Sequence, residues 1–514
     1  MIPTSNLAHL LLQSARRFPG RPALIWRDRT WTWAEFSHRV QVAAGALAAR
    51  GVQHGDRVLL HARNSNAVLE TMFASWMLGA VWVPTNFRLT PPEVAYLAAS
   101  SGAAVHIVDA AFPDHAAAAK VENRACKLEI SIGPGVLAWD VLAAHGPPLP
   151  RAADVAHDHP AWFFYTSGTT GRPKAGVLTH GQMEYVICNH LCDLMPATTE
   201  HDVSLVVAPL SHGAGIHALP QVARGAATVL LSGERLDCEE AWRLVAQHRV
   251  TNMFTVPTIL TMLTRHEAVD RYDHTSLRYV IYAGAPMYRA DQVHALGKLG
   301  NVLVQYFGMG EVTGNITVLP CDLHSIDDAD MKVGSCGVPR TGMEVVILDL
   351  DGTPLPPGTT GEICVRGPGV FAGYHNNPEA TAQATRFGWF HTGDLGHMDE
   401  QGFVFITGRA SDMYISGGSN VYPREIEEAL LLHPSIAEAC VVGMPDARWG
   451  ESGVAVLVAA EGATIDEREV RAHLDGRLAK YKWPARFAVW PELPKSGYGK
   501  VTKRDVKQRL EETA

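Results

Sequence analysis

Apolar runs of strand length alternate with segments of helical periodicity over roughly the first 330 residues of the chain. "RVLLHA" is followed by "NAVLETMFASWMLGA", and "RYVIYAG" is followed by "YRADQVHALGKLG". A short, continuous apolar run is typical of a strand buried on both faces, and a helical segment after each such strand is typical of a parallel sheet. The pattern therefore predicts α/β layers with largely parallel sheets between residues 20 and 330.

The pattern changes near residue 330 and again near residue 410. In "MEVVILDLDGTPLPPGTTGEICVRGPGVFAGY", the Gly and Pro content, the β-branched runs and the Asp351-Gly352 turn predict short antiparallel strands. In "PREIEEALLLH", Pro423 stands at a first-turn position with acidic residues close behind, which is typical of a helix start. The strands "EACVVGM" and "GVAVLVAA", a helix and a basic tail follow. We expect a small α+β domain, joined to the large part near residues 408–412.

Composition narrows the class of protein. The chain has 514 residues, too many for one hydrophobic core and enough for about three or four packing units. Hydrophobic residues make up 47% and charged residues 19%, and the net charge of −9 argues against a nucleic-acid surface. No apolar run reaches the length of a membrane span, and "MIPTSNLAHLLLQSARRFPG" predicts an amphipathic helix, not a secretory signal. We expect a cytoplasmic protein with no nucleic-acid partner and no integral membrane segment.

The eight cysteines are scattered and form no CxxC pair. Cys188 and Cys192 stand four residues apart with His190 between them, in "CNHLC". One face of a helix could present the two thiols to zinc, but no second ligand pair stands nearby. We favour two reduced thiols on a helix.

A loop suited to phosphates stands in "FYTSGTTGRPKAGV", residues 164–177, directly after an apolar run. Backbone N–H groups of such a Gly-, Ser- and Thr-rich loop form an anion-binding concavity, and its hydroxyls add donors. The loop does not fit the Walker pattern G-x-x-x-x-G-K-[ST]. Pro173 stands where that pattern needs glycine, and Ala175 follows Lys174 where it needs a hydroxyl.

Five further stretches follow this loop in order: "YAGAPM" (282–287), "VQYFGMGEVTGN" (304–315), "GWFHTGDLG" (388–396), "GRASDMYISGGSNVYPREIE" (408–427) and "LPKSGYGKVTKRDV" (493–506). Together with the loop they resemble the superfamily of ATP-dependent adenylate-forming enzymes, over essentially the whole chain. That superfamily contains acyl- and aryl-CoA synthetases, firefly luciferase and the adenylation domains of nonribosomal peptide synthetases.

The resemblance implies a large domain, residues 1–408, and a small mobile α+β domain, residues 409–514. The large domain would hold two flavodoxin-like parallel-sheet layers over residues 1–330 and a distorted antiparallel β-barrel over residues 331–408. The implied reaction uses ATP, Mg²⁺ and coenzyme A: a carboxylic acid and ATP give acyl-AMP and pyrophosphate, and CoA then takes the acyl group. Because the broken bond is at the α-phosphate, the loop would cradle the leaving pyrophosphate, and a Walker fit is not needed.

The resemblance also assigns the nucleotide site. Glu311 resembles the carboxylate that organises Mg²⁺, and Asp394 resembles the one that accepts both ribose hydroxyls, with Arg409 as its partner. An acceptor-only carboxylate is suited to two hydroxyls. Adenine would lie between the turn backbone of "GAP" and Phe307, which stands where the family usually has Tyr. The implied ATP- and AMP-binding residues are Thr166, Ser167, Gly168, Thr169, Thr170, Gly171, Lys174, Gly284, Ala285, Pro286, Tyr306, Phe307, Gly308, Asp394 and Arg409.

Lys500 resembles the catalytic lysine of the family. A carboxylate that attacks an α-phosphate brings two anions together, so a cation that touches both oxygens lowers an electrostatic barrier by several kcal/mol. The other implied catalytic residues are Thr166, Glu311 and His212, and His212 would gate the boundary between the nucleotide and acyl pockets.

For the second half-reaction, the small domain would rotate about a hinge at Ser411 and exchange Lys500 for the "SGGSN" loop. Gly417 and Gly418 lack a Cβ and would let a thin pantetheine arm pass. Trp449 would stack on the CoA nucleotide. The implied CoA-binding residues are Ser416, Gly417, Gly418, Trp449, Tyr481 and Lys482.

The implied acyl pocket is lined by small and apolar residues: His212, Gly213, Ala214, Ala283 and Met309, with residues 256–258 close by. This set offers no Arg or Lys for a second carboxylate, which favours a medium-chain aliphatic or aromatic monocarboxylic acid.

The chain departs from the family pattern at four positions. Ala175 replaces the usual Gly after the loop lysine, and Ser211 replaces an aromatic residue, which widens the acyl pocket. Gly310 replaces the Thr before the key Glu, so we expect slower adenylation or a shifted contact. Ser411 stands where the hinge is usually Asp or Lys.

The predicted function is an AMP-forming carboxylate–CoA ligase, with a stand-alone adenylation enzyme that serves a carrier-protein thiol as the alternative. An amino-acid adenylation domain would want an acidic residue near "PLSHGAG" and a carrier domain downstream, and neither is visible. A luciferase-like oxygenase would favour a peroxisomal ending, but the tail is "EETA". A non-catalytic regulator would predict loss of Lys500 or Glu311, and both remain. The sequence is compatible with a homodimer and does not decide the oligomeric state.

Overall fold

The computed structural model describes residues 3–166, 172–285, 287–416, 419–446, 448–495 and 501–512, with the side chains of Pro3 and Asn420 left aside. The strands of the first 340 residues are β1 (Pro3–Thr4), β2 (Pro22–Trp26), β3 (Arg29–Thr32), β4 (Arg57–His61), β5 (Val81–Thr85), β6 (Val105–Asp109), β7 (Leu128–Ile132), β8 (Val155–Ala156), β9 (Pro160–Thr166), β10 (Lys174–Thr179), β11 (Val203–Val206), β12 (Ala227–Leu230), β13 (Asn252–Thr255), β14 (Tyr279–Tyr282), β15 (Leu303–Phe307), β16 (Thr317–Leu319) and β17 (Val338–Pro339). The helices between them are α1 (Ala8–Arg17), α2 (Trp33–Ala48), α3 (Asn66–Met77), α4 (Pro91–Ser101), α5 (Pro113–Glu122), α6 (Trp139–Ala144), α7 (His180–Asp193), α8 (Gly213–Arg224), α9 (Cys238–His248), α10 (Pro257–Arg265) and α11 (Arg289–Leu299).

Two sheets dominate this part of the chain. The six-stranded sheet has the order β10-β9-β5-β4-β6-β7, and the nine-stranded sheet has the order β17-β16-β15-β14-β13-β11-β12-β2-β3. Their central strands run parallel, which confirms the predicted α/β layers. Three of the four sheet edges are antiparallel, because β10 pairs with β9 as a hairpin and β3, β16 and β17 fold back on their neighbours, whereas β7 runs parallel to β6.

One apolar cluster joins side chains from both sheets. Every residue of α3 is buried, as expected for a helix that is apolar on nearly all sides. Trp82 and Trp162 meet edge to face at 4.6 Å between ring centroids, and Trp76 donates its indole N–H to the carbonyl of Ala161 at 2.8 Å. Burial of each such ring contributes roughly 2–3 kcal/mol. The sheets are thus held against a rigid core that fixes the loops at their edges.

The next part is a four-stranded antiparallel sheet, which stands where the sequence predicts short antiparallel strands and a barrel. Asp351-Gly352 lies in the turn after the first strand, and Gly352 has a φ of +79°, which suits glycine. The elements are β18 (Glu344–Leu348), β19 (Gly361–Arg366), α12 (Pro378–Ala384), β20 (Phe390–Met398) and β21 (Val404–Arg409), in the sheet order β18-β19-β20-β21.

The last part has the α+β character that the sequence predicts. A helix begins at Pro423, and its acidic first turn holds Glu425. The elements are β22 (Tyr414–Ser416), β23 (Ser419–Val421), α13 (Pro423–Leu431), β24 (Ile436–Asp446), β25 (Gly450–Ala459), α14 (Glu467–Leu474), β26 (Arg486–Val489) and α15 (Lys503–Glu512). The expected joint at residues 408–412 covers the end of β21 and the connection to β22. Its role as a hinge and the boundary at residue 409 stay predictions.

The "CNHLC" stretch lies on α7, as the sequence predicts for its two thiols. Cys188 and Cys192 are exposed on this helix, whereas His190 is buried on the other side. His190 therefore does not share the face of the two thiols, which are free. Among the described residues, no helix is both long enough and apolar enough to span a bilayer.

Candidate active site

Four of the predicted stretches lie at one edge of the nine-stranded sheet. His212 follows β11, Val256 follows β13, Ala283 follows β14 and Gly308 follows β15. The four strands are neighbours in the order β15-β14-β13-β11 and run parallel, so their carboxyl ends meet. A crevice at the carboxyl ends of parallel strands is where open α/β sheets bind ligands. The sheet topology thus brings together motifs that lie far apart in the sequence.

Glu311 is the centre of this crevice. It is only 3% exposed and accepts two hydrogen bonds at Oε1, from the Thr166 hydroxyl at 2.8 Å and from the Tyr374 hydroxyl at 2.9 Å. Its Oε2 is buried and has no hydrogen-bond partner among the described residues. Leaving a buried carboxylate oxygen unpaired costs a few kcal/mol, so this oxygen points to a ligand.

The tight turn after β15 holds Glu311 in place. A Cβ on Gly308 would lie 2.3 Å from the Cα of Gly314, so only glycine fits at this crossing. The carbonyl of Glu311 accepts a hydrogen bond from the Phe371 amide at 2.7 Å, which ties the turn to the segment before Tyr374. The carboxylate also acts on Tyr374, since burial raises the pKa of this phenol and Glu311 raises it further.

The phosphate loop is the turn of the β9–β10 hairpin. Thr166 at the end of β9 stands directly opposite Lys174 at the start of β10. The Lys174 Nζ lies 5.3 Å from the centroid of the Tyr374 ring. The positive charge of Lys174 is thus close to the residue whose hydroxyl donates to Glu311. Ser167, Gly168, Thr169, Thr170 and Gly171 lie outside the described residues, so their phosphate contacts stay a prediction.

Phe164 explains the departure at Gly310. A Cβ on Gly310 would lie 2.6 Å from the Phe164 ring and 2.8 Å from the methyl group of Thr166. The Thr that is usual at position 310 therefore does not fit beside this ring. Phe164 also meets the His212 ring edge to face at 4.9 Å between centroids. It stands between the carboxylate end of the crevice and the predicted acyl pocket, and sequence reasoning missed it.

His212 stands directly before α8, where the sequence places it at the mouth of the acyl pocket. Its Nδ1 lies 3.1 Å from the Ser211 hydroxyl, so the residue that replaces the usual aromatic side chain makes a polar contact with the imidazole. Gly213 follows, and a Cβ there would lie 2.7 Å from the Phe254 ring. Ala214 and Ala283 are buried and Met309 is half-buried. Their role as pocket walls stays a prediction.

A buried arginine lies behind this pocket. The Arg340 side chain is fully buried, lies 3.6 Å from the Asp193 carboxylate and donates to the carbonyl of Gly314 at 3.4 Å. Burial lowers the pKa of Arg340 to about 10, with Asp193 acting in the opposite direction. Its charge is paired inside the core and faces the underside of Tyr306, with 5.9 Å from the guanidinium to the ring centroid.

The predicted adenine site is partly described. Gly284 is exposed with a φ of +84°, a left-handed conformation that glycine adopts without strain, and Ala285 is half-buried. Pro286 lies outside the described residues. Side chains alternate along β15, so Tyr306 is buried in the core while Phe307 is half-buried on the other face. Phe307 is therefore the ring that is free to meet a base.

The predicted ribose pair is brought together by the antiparallel sheet. Asp394 on β20 and Arg409 on β21 are direct cross-strand partners, and the Arg409 Nε donates to the Asp394 Oδ1 at 3.0 Å. Asp394 is buried, whereas half of the Arg409 side chain is exposed. In this arrangement the Arg409 cation holds the Asp394 carboxylate, which can accept from the hydroxyls of a ligand. The use of this pair for ribose stays a prediction.

The predicted CoA and hinge residues lie on the surface of the last part. Trp449 and Tyr481 are about half exposed, at 48% and 53%, and Ser416 is half-buried. Lys482 is bound to the Glu425 carboxylate at 2.6 Å, so it would have to leave that pair to meet a phosphate. Ser411 is exposed and donates to Asp412 at 3.3 Å. Gly417 and Gly418 lie outside the described residues, and all of these roles stay predictions.

Lys500 also lies outside the described residues, but both flanks of its loop are placed. Lys495 pairs with Val501 as an isolated antiparallel bridge. Lys503 donates to the Glu427 carboxylate at 2.8 Å. That carboxylate lies close enough to Tyr288 to act on it, since burial raises the pKa of this phenol and Glu427 raises it further. Tyr288 follows "YAGAPM" directly, so Glu427 and Lys503 lie near the predicted adenine turn.

Sequence reasoning did not find Tyr374 or Glu362. Tyr374 stands in "GVFAGYH", a Gly-rich stretch that predicts only antiparallel strands. Glu362 stands in "TGEICV" and lies beside Cys364 and His391, and the ligand-type atoms of the three residues lie within 4.8 Å of one another. The signal available in both cases was a polar side chain in a Gly-rich or strand context, which is too common to single out.

A parallel-sheet crevice with a buried carboxylate, beside a sequence rich in hydroxyls, is typical of an enzyme that handles nucleotide phosphates. Residues 11–375 match the AMP-binding enzyme family and residues 425–500 match the AMP-binding enzyme C-terminal domain. The chain therefore belongs to the AMP-binding enzyme family, within the adenylate-forming superfamily, as the sequence motifs indicate.

Named relatives agree with this assignment. A feruloyl-CoA synthase of Amycolatopsis sp is 39% identical, over 97% of this chain and 98% of its own length. An indoleacetate–CoA ligase of Aromatoleum aromaticum is 36% identical, over 95% of each chain. A fatty acid–[acyl-carrier-protein] ligase of Streptomyces coeruleorubidus is 34% identical, over 96% of this chain and 95% of its own. The predicted enzyme class, an AMP-forming acid–thiol ligase that uses ATP and CoA, is confirmed.

The fold also matches the solved structure of a related enzyme. The o-succinylbenzoate CoA synthetase of Bacillus subtilis, in complex with its acyl-adenylate intermediate, superimposes with a TM-score of 0.86 at 30% identity. The superposition covers 99% of each chain. The predicted fold class, parallel-sheet layers with a separate antiparallel sheet and a small C-terminal part, is confirmed.

Proposed function

We propose that this enzyme activates an aromatic monocarboxylic acid with ATP and transfers the acyl group to coenzyme A. The acid and ATP give acyl-AMP and pyrophosphate, and the CoA thiol then displaces AMP to give the thioester. The observation that carries the proposal is the position of Glu311. This buried carboxylate with one unpaired oxygen is bonded to Thr166 at the phosphate loop and is separated from His212 by the Phe164 ring.

The residues around Glu311 fit a magnesium ion. Mg²⁺ prefers oxygen ligands and is usually held by one or two carboxylates together with substrate phosphates. The Oε2 of Glu311 is buried and unpaired among the described residues, and the Thr166 hydroxyl lies beside it. These two residues would hold the ion with the phosphates of ATP. When bound, the ion supplies positive charge against the phosphate oxygens.

The protein's own residues arrange the first half-reaction. The hairpin loop that begins at Thr166 binds the β- and γ-phosphates, which leave as pyrophosphate, and Lys174 adds a positive charge at its far end. Asp394 and Arg409 hold the ribose, and Phe307 faces the base. The Phe164 ring excludes water from the space between the α-phosphate and the acid, which strengthens every charge interaction there.

Lys500 acts on the two anions that must meet. Its ammonium would touch the attacking carboxylate and an α-phosphate oxygen at once and so offset their repulsion. The described flanks of its loop support this placement, because Lys503 and Glu427 connect the end of the chain to Tyr288 beside the adenine turn. The second half-reaction needs the same space for a thiol, so the small domain must move Lys500 away.

The pocket walls support an aromatic acid. Gly213 packs against the Phe254 ring, and Phe254 stacks on Tyr306 at 5.9 Å with an angle of 22° between the rings. A slot between small residues and flat rings suits a planar acyl group. Arg340, whose guanidinium faces the Tyr306 ring, is paired with Asp193 inside the core, so it is not available for a second carboxylate. The two most similar relatives named above are a feruloyl-CoA synthase and an indoleacetate–CoA ligase.

A carrier-protein thiol is the second candidate acceptor, because one relative is a fatty acid–[acyl-carrier-protein] ligase. The exposed Trp449, with the Arg448 guanidinium 4.8 Å from its ring centroid, favours CoA, since an aromatic ring with a cation beside it suits a nucleotide phosphate. Steady thioester formation with free CoA supports the ligase. A burst of acyl-AMP with no turnover on CoA would support the carrier-protein alternative.

A panel of acids tests the substrate class. Pyrophosphate release is measured with cinnamic, benzoic and arylacetic acids, with straight-chain acids of six to twelve carbons, roughly matched in volume, and with malonate and succinylbenzoate. We expect kcat/KM for the best aromatic monocarboxylate to exceed that for any dicarboxylate by at least about 100-fold, because a second carboxylate would be buried without a partner. Preference for an aliphatic acid or for a dicarboxylate would contradict the proposed class.

A further inference from the structure

Strand β20 leaves its pairing with β19 at the residues that present Asp394. Cys364 stands opposite His391 and Glu362 stands opposite Leu395, with an irregular register between them. Three residues of β20, Thr392 to Asp394, therefore face the single residue Ile363. An excess of residues on one strand forms a bulge, which bends the strand and redirects its side chains.

The backbone groups of this bulge are satisfied by side chains instead of by the opposite strand. The Thr392 hydroxyl donates to the carbonyl of Ile363 at 2.7 Å and accepts from the amide of Asp394 at 3.0 Å. The amide of Gly393 donates to the Glu362 Oε1 at 3.0 Å. Gly393 has a φ of +73°, a left-handed conformation that glycine adopts without strain. The bulge therefore places a glycine where the backbone turns toward Glu362.

The same carboxylate also holds the start of the bulge. Its Oε2 accepts from the His391 Nδ1 at 2.8 Å and from the Arg386 guanidinium at 3.3 Å. Only 20% of the Glu362 side chain is exposed, so these charge-assisted hydrogen bonds are partly shielded from water. One carboxylate thus fixes both ends of the segment His391–Gly393, and Asp394 follows immediately.

We propose that Glu362 is a positioning residue for ATP: it sets the bulge that holds Asp394 at the ribose hydroxyls. The inference rests on the proposed function through one point, the ribose role of Asp394. An amide in place of this carboxylate has only one accepting oxygen, so it cannot hold Gly393 at one end and both His391 and Arg386 at the other, and the bulge can relax toward the regular ladder. That change turns or withdraws Asp394, which needs a fixed direction to accept from two hydroxyls at once.

A metal ion is a poor occupant of this cluster. Cys364 lies 3.4 Å from the His391 Nδ1, so Glu362, Cys364 and His391 look like three ligands. The Arg386 guanidinium, however, contacts both His391 at 3.0 Å and Glu362, and it would repel a cation. Burial raises the pKa of the Cys364 thiol to about 12, and Glu362 acts in the same direction, so this sulfur is held as the weakly binding thiol.

Glu362→Gln tests the inference with ATP and with 2′,3′-dideoxy-ATP as alternative substrates of the full-length enzyme. Wild type should have a KM about tenfold or more higher for the dideoxy nucleotide, since it offers Asp394 no hydroxyls. Glu362→Gln should raise the KM for ATP by about tenfold, leave the KM for the acid within about twofold, and add no further loss with the dideoxy nucleotide. Thr392→Val, which removes the other side-chain support of the bulge, should behave in the same way.

Glu344→Gln is the matched control, because Glu344 lies on β18 of the same sheet in an exposed pair with Arg366 and touches no part of the bulge. It should leave both KM values unchanged. If Glu362→Gln raises the KM equally for ATP and the dideoxy nucleotide, Glu362 has only a general structural role and the inference is wrong. If wild type itself does not distinguish the two nucleotides, the ribose role of Asp394 is wrong, and the proposed function loses that part.

Discussion

At the scale of single residues, Glu311 is suited to bind a ligand because its two carboxylate oxygens differ in their hydrogen bonds. Oε1 accepts from Thr166 and Tyr374, whereas Oε2 is buried without a partner among the described residues. An oxygen in that state destabilises the folded protein until a ligand meets it. Function and stability therefore pull in opposite directions at this residue, as they commonly do at active sites.

Glu311→Gln separates the two effects. The amide oxygen can still accept from Thr166 and Tyr374, while the buried negative charge is removed. We expect adenylation, measured as pyrophosphate release at saturating acid and ATP, to fall by about 100-fold or more. We expect the free energy of unfolding in urea to stay the same or rise by about 1 kcal/mol. Retained adenylation, or a loss of stability of several kcal/mol, would contradict the role given to this carboxylate, and Glu344→Gln serves as the control here as well.

The sequence predicts Glu311 but not Tyr374, and the reason is physical. Glu311 stands in a Gly-rich turn after a strand, a local context that a motif can describe. Tyr374 lies 63 residues further along the chain, and its hydroxyl reaches Glu311 only because the segment at 371–374 packs back onto the turn. Contacts of this kind depend on tertiary packing, which no local pattern contains.

At the scale of elements, the β9–β10 hairpin and the turn after β15 are fitted to each other. Phe164 and Thr166 point from the same face of β9 toward Gly310, which has no side chain to oppose them. The sequence predicts the first strand and the loop, and it marks Gly310 as unusual. It does not predict that Phe164 is the cause, because that needs the distance between two elements.

Gly310→Ala should destabilise the protein. Its Cβ would lie 2.6 Å from the Phe164 ring, a contact that forces the ring or the turn to shift. We expect a loss of about 1–3 kcal/mol in urea unfolding, with part of it recovered in the double variant Phe164→Leu, Gly310→Ala.

Gly297→Ala is the matched control for this series. Gly297 lies within α11, and a Cβ there would meet no atom within 4 Å, so alanine should stabilise the helix by about 0.5–1 kcal/mol. If Gly310→Ala is as harmless as this control, or if the losses of the double variant simply add, Phe164 does not exclude a side chain at position 310.

At the scale of the whole molecule, buried neutral histidines should make the protein sensitive to mild acid. Burial lowers the pKa of His61 and His180 to about 3 and that of His106, His217 and His324 to about 4. Between pH 6.5 and these values, the unfolded chain binds protons that the folded protein does not. Stability is therefore complete above pH 6.5 and is lost as the pH falls, by up to about 1.4 kcal/mol per pH unit for each group.

Melting temperatures between pH 7.5 and pH 4.5 check this expectation. The Tm should be nearly constant above pH 7 and should fall progressively below pH 6.5, well before most surface carboxylates are protonated. His217→Gln should reduce the slope, since a glutamine can still bond to Asn252 as His217 does at 3.0 Å. An exposed histidine such as His201 provides the control, and a Tm that stays flat to pH 5 would show that these rings are not held neutral.

The order of parts along the chain could be read from the sequence, because each part has its own apolar period and turn content. Their placement could not, because it depends on long-range contacts such as the influence of Glu427 on Tyr288. This influence indicates that Glu427, and with it Lys503, lies near the adenine turn. The rotation that would withdraw Lys500 is a prediction of the proposed mechanism.

The most direct test of the account assays the two half-reactions of Lys500→Ala separately, with Lys495→Ala, an exposed partner of Glu438, as the control. Acyl-AMP formation from acid and ATP should fall by about 1,000-fold or more, because the two anions then meet without the cation. Thioester formation from supplied acyl-AMP and CoA should stay within about threefold of wild type, since that step does not use this lysine. Equal loss in both assays, or retention of both activities, would contradict the claim that Lys500 drives adenylation and takes no part in thioester formation.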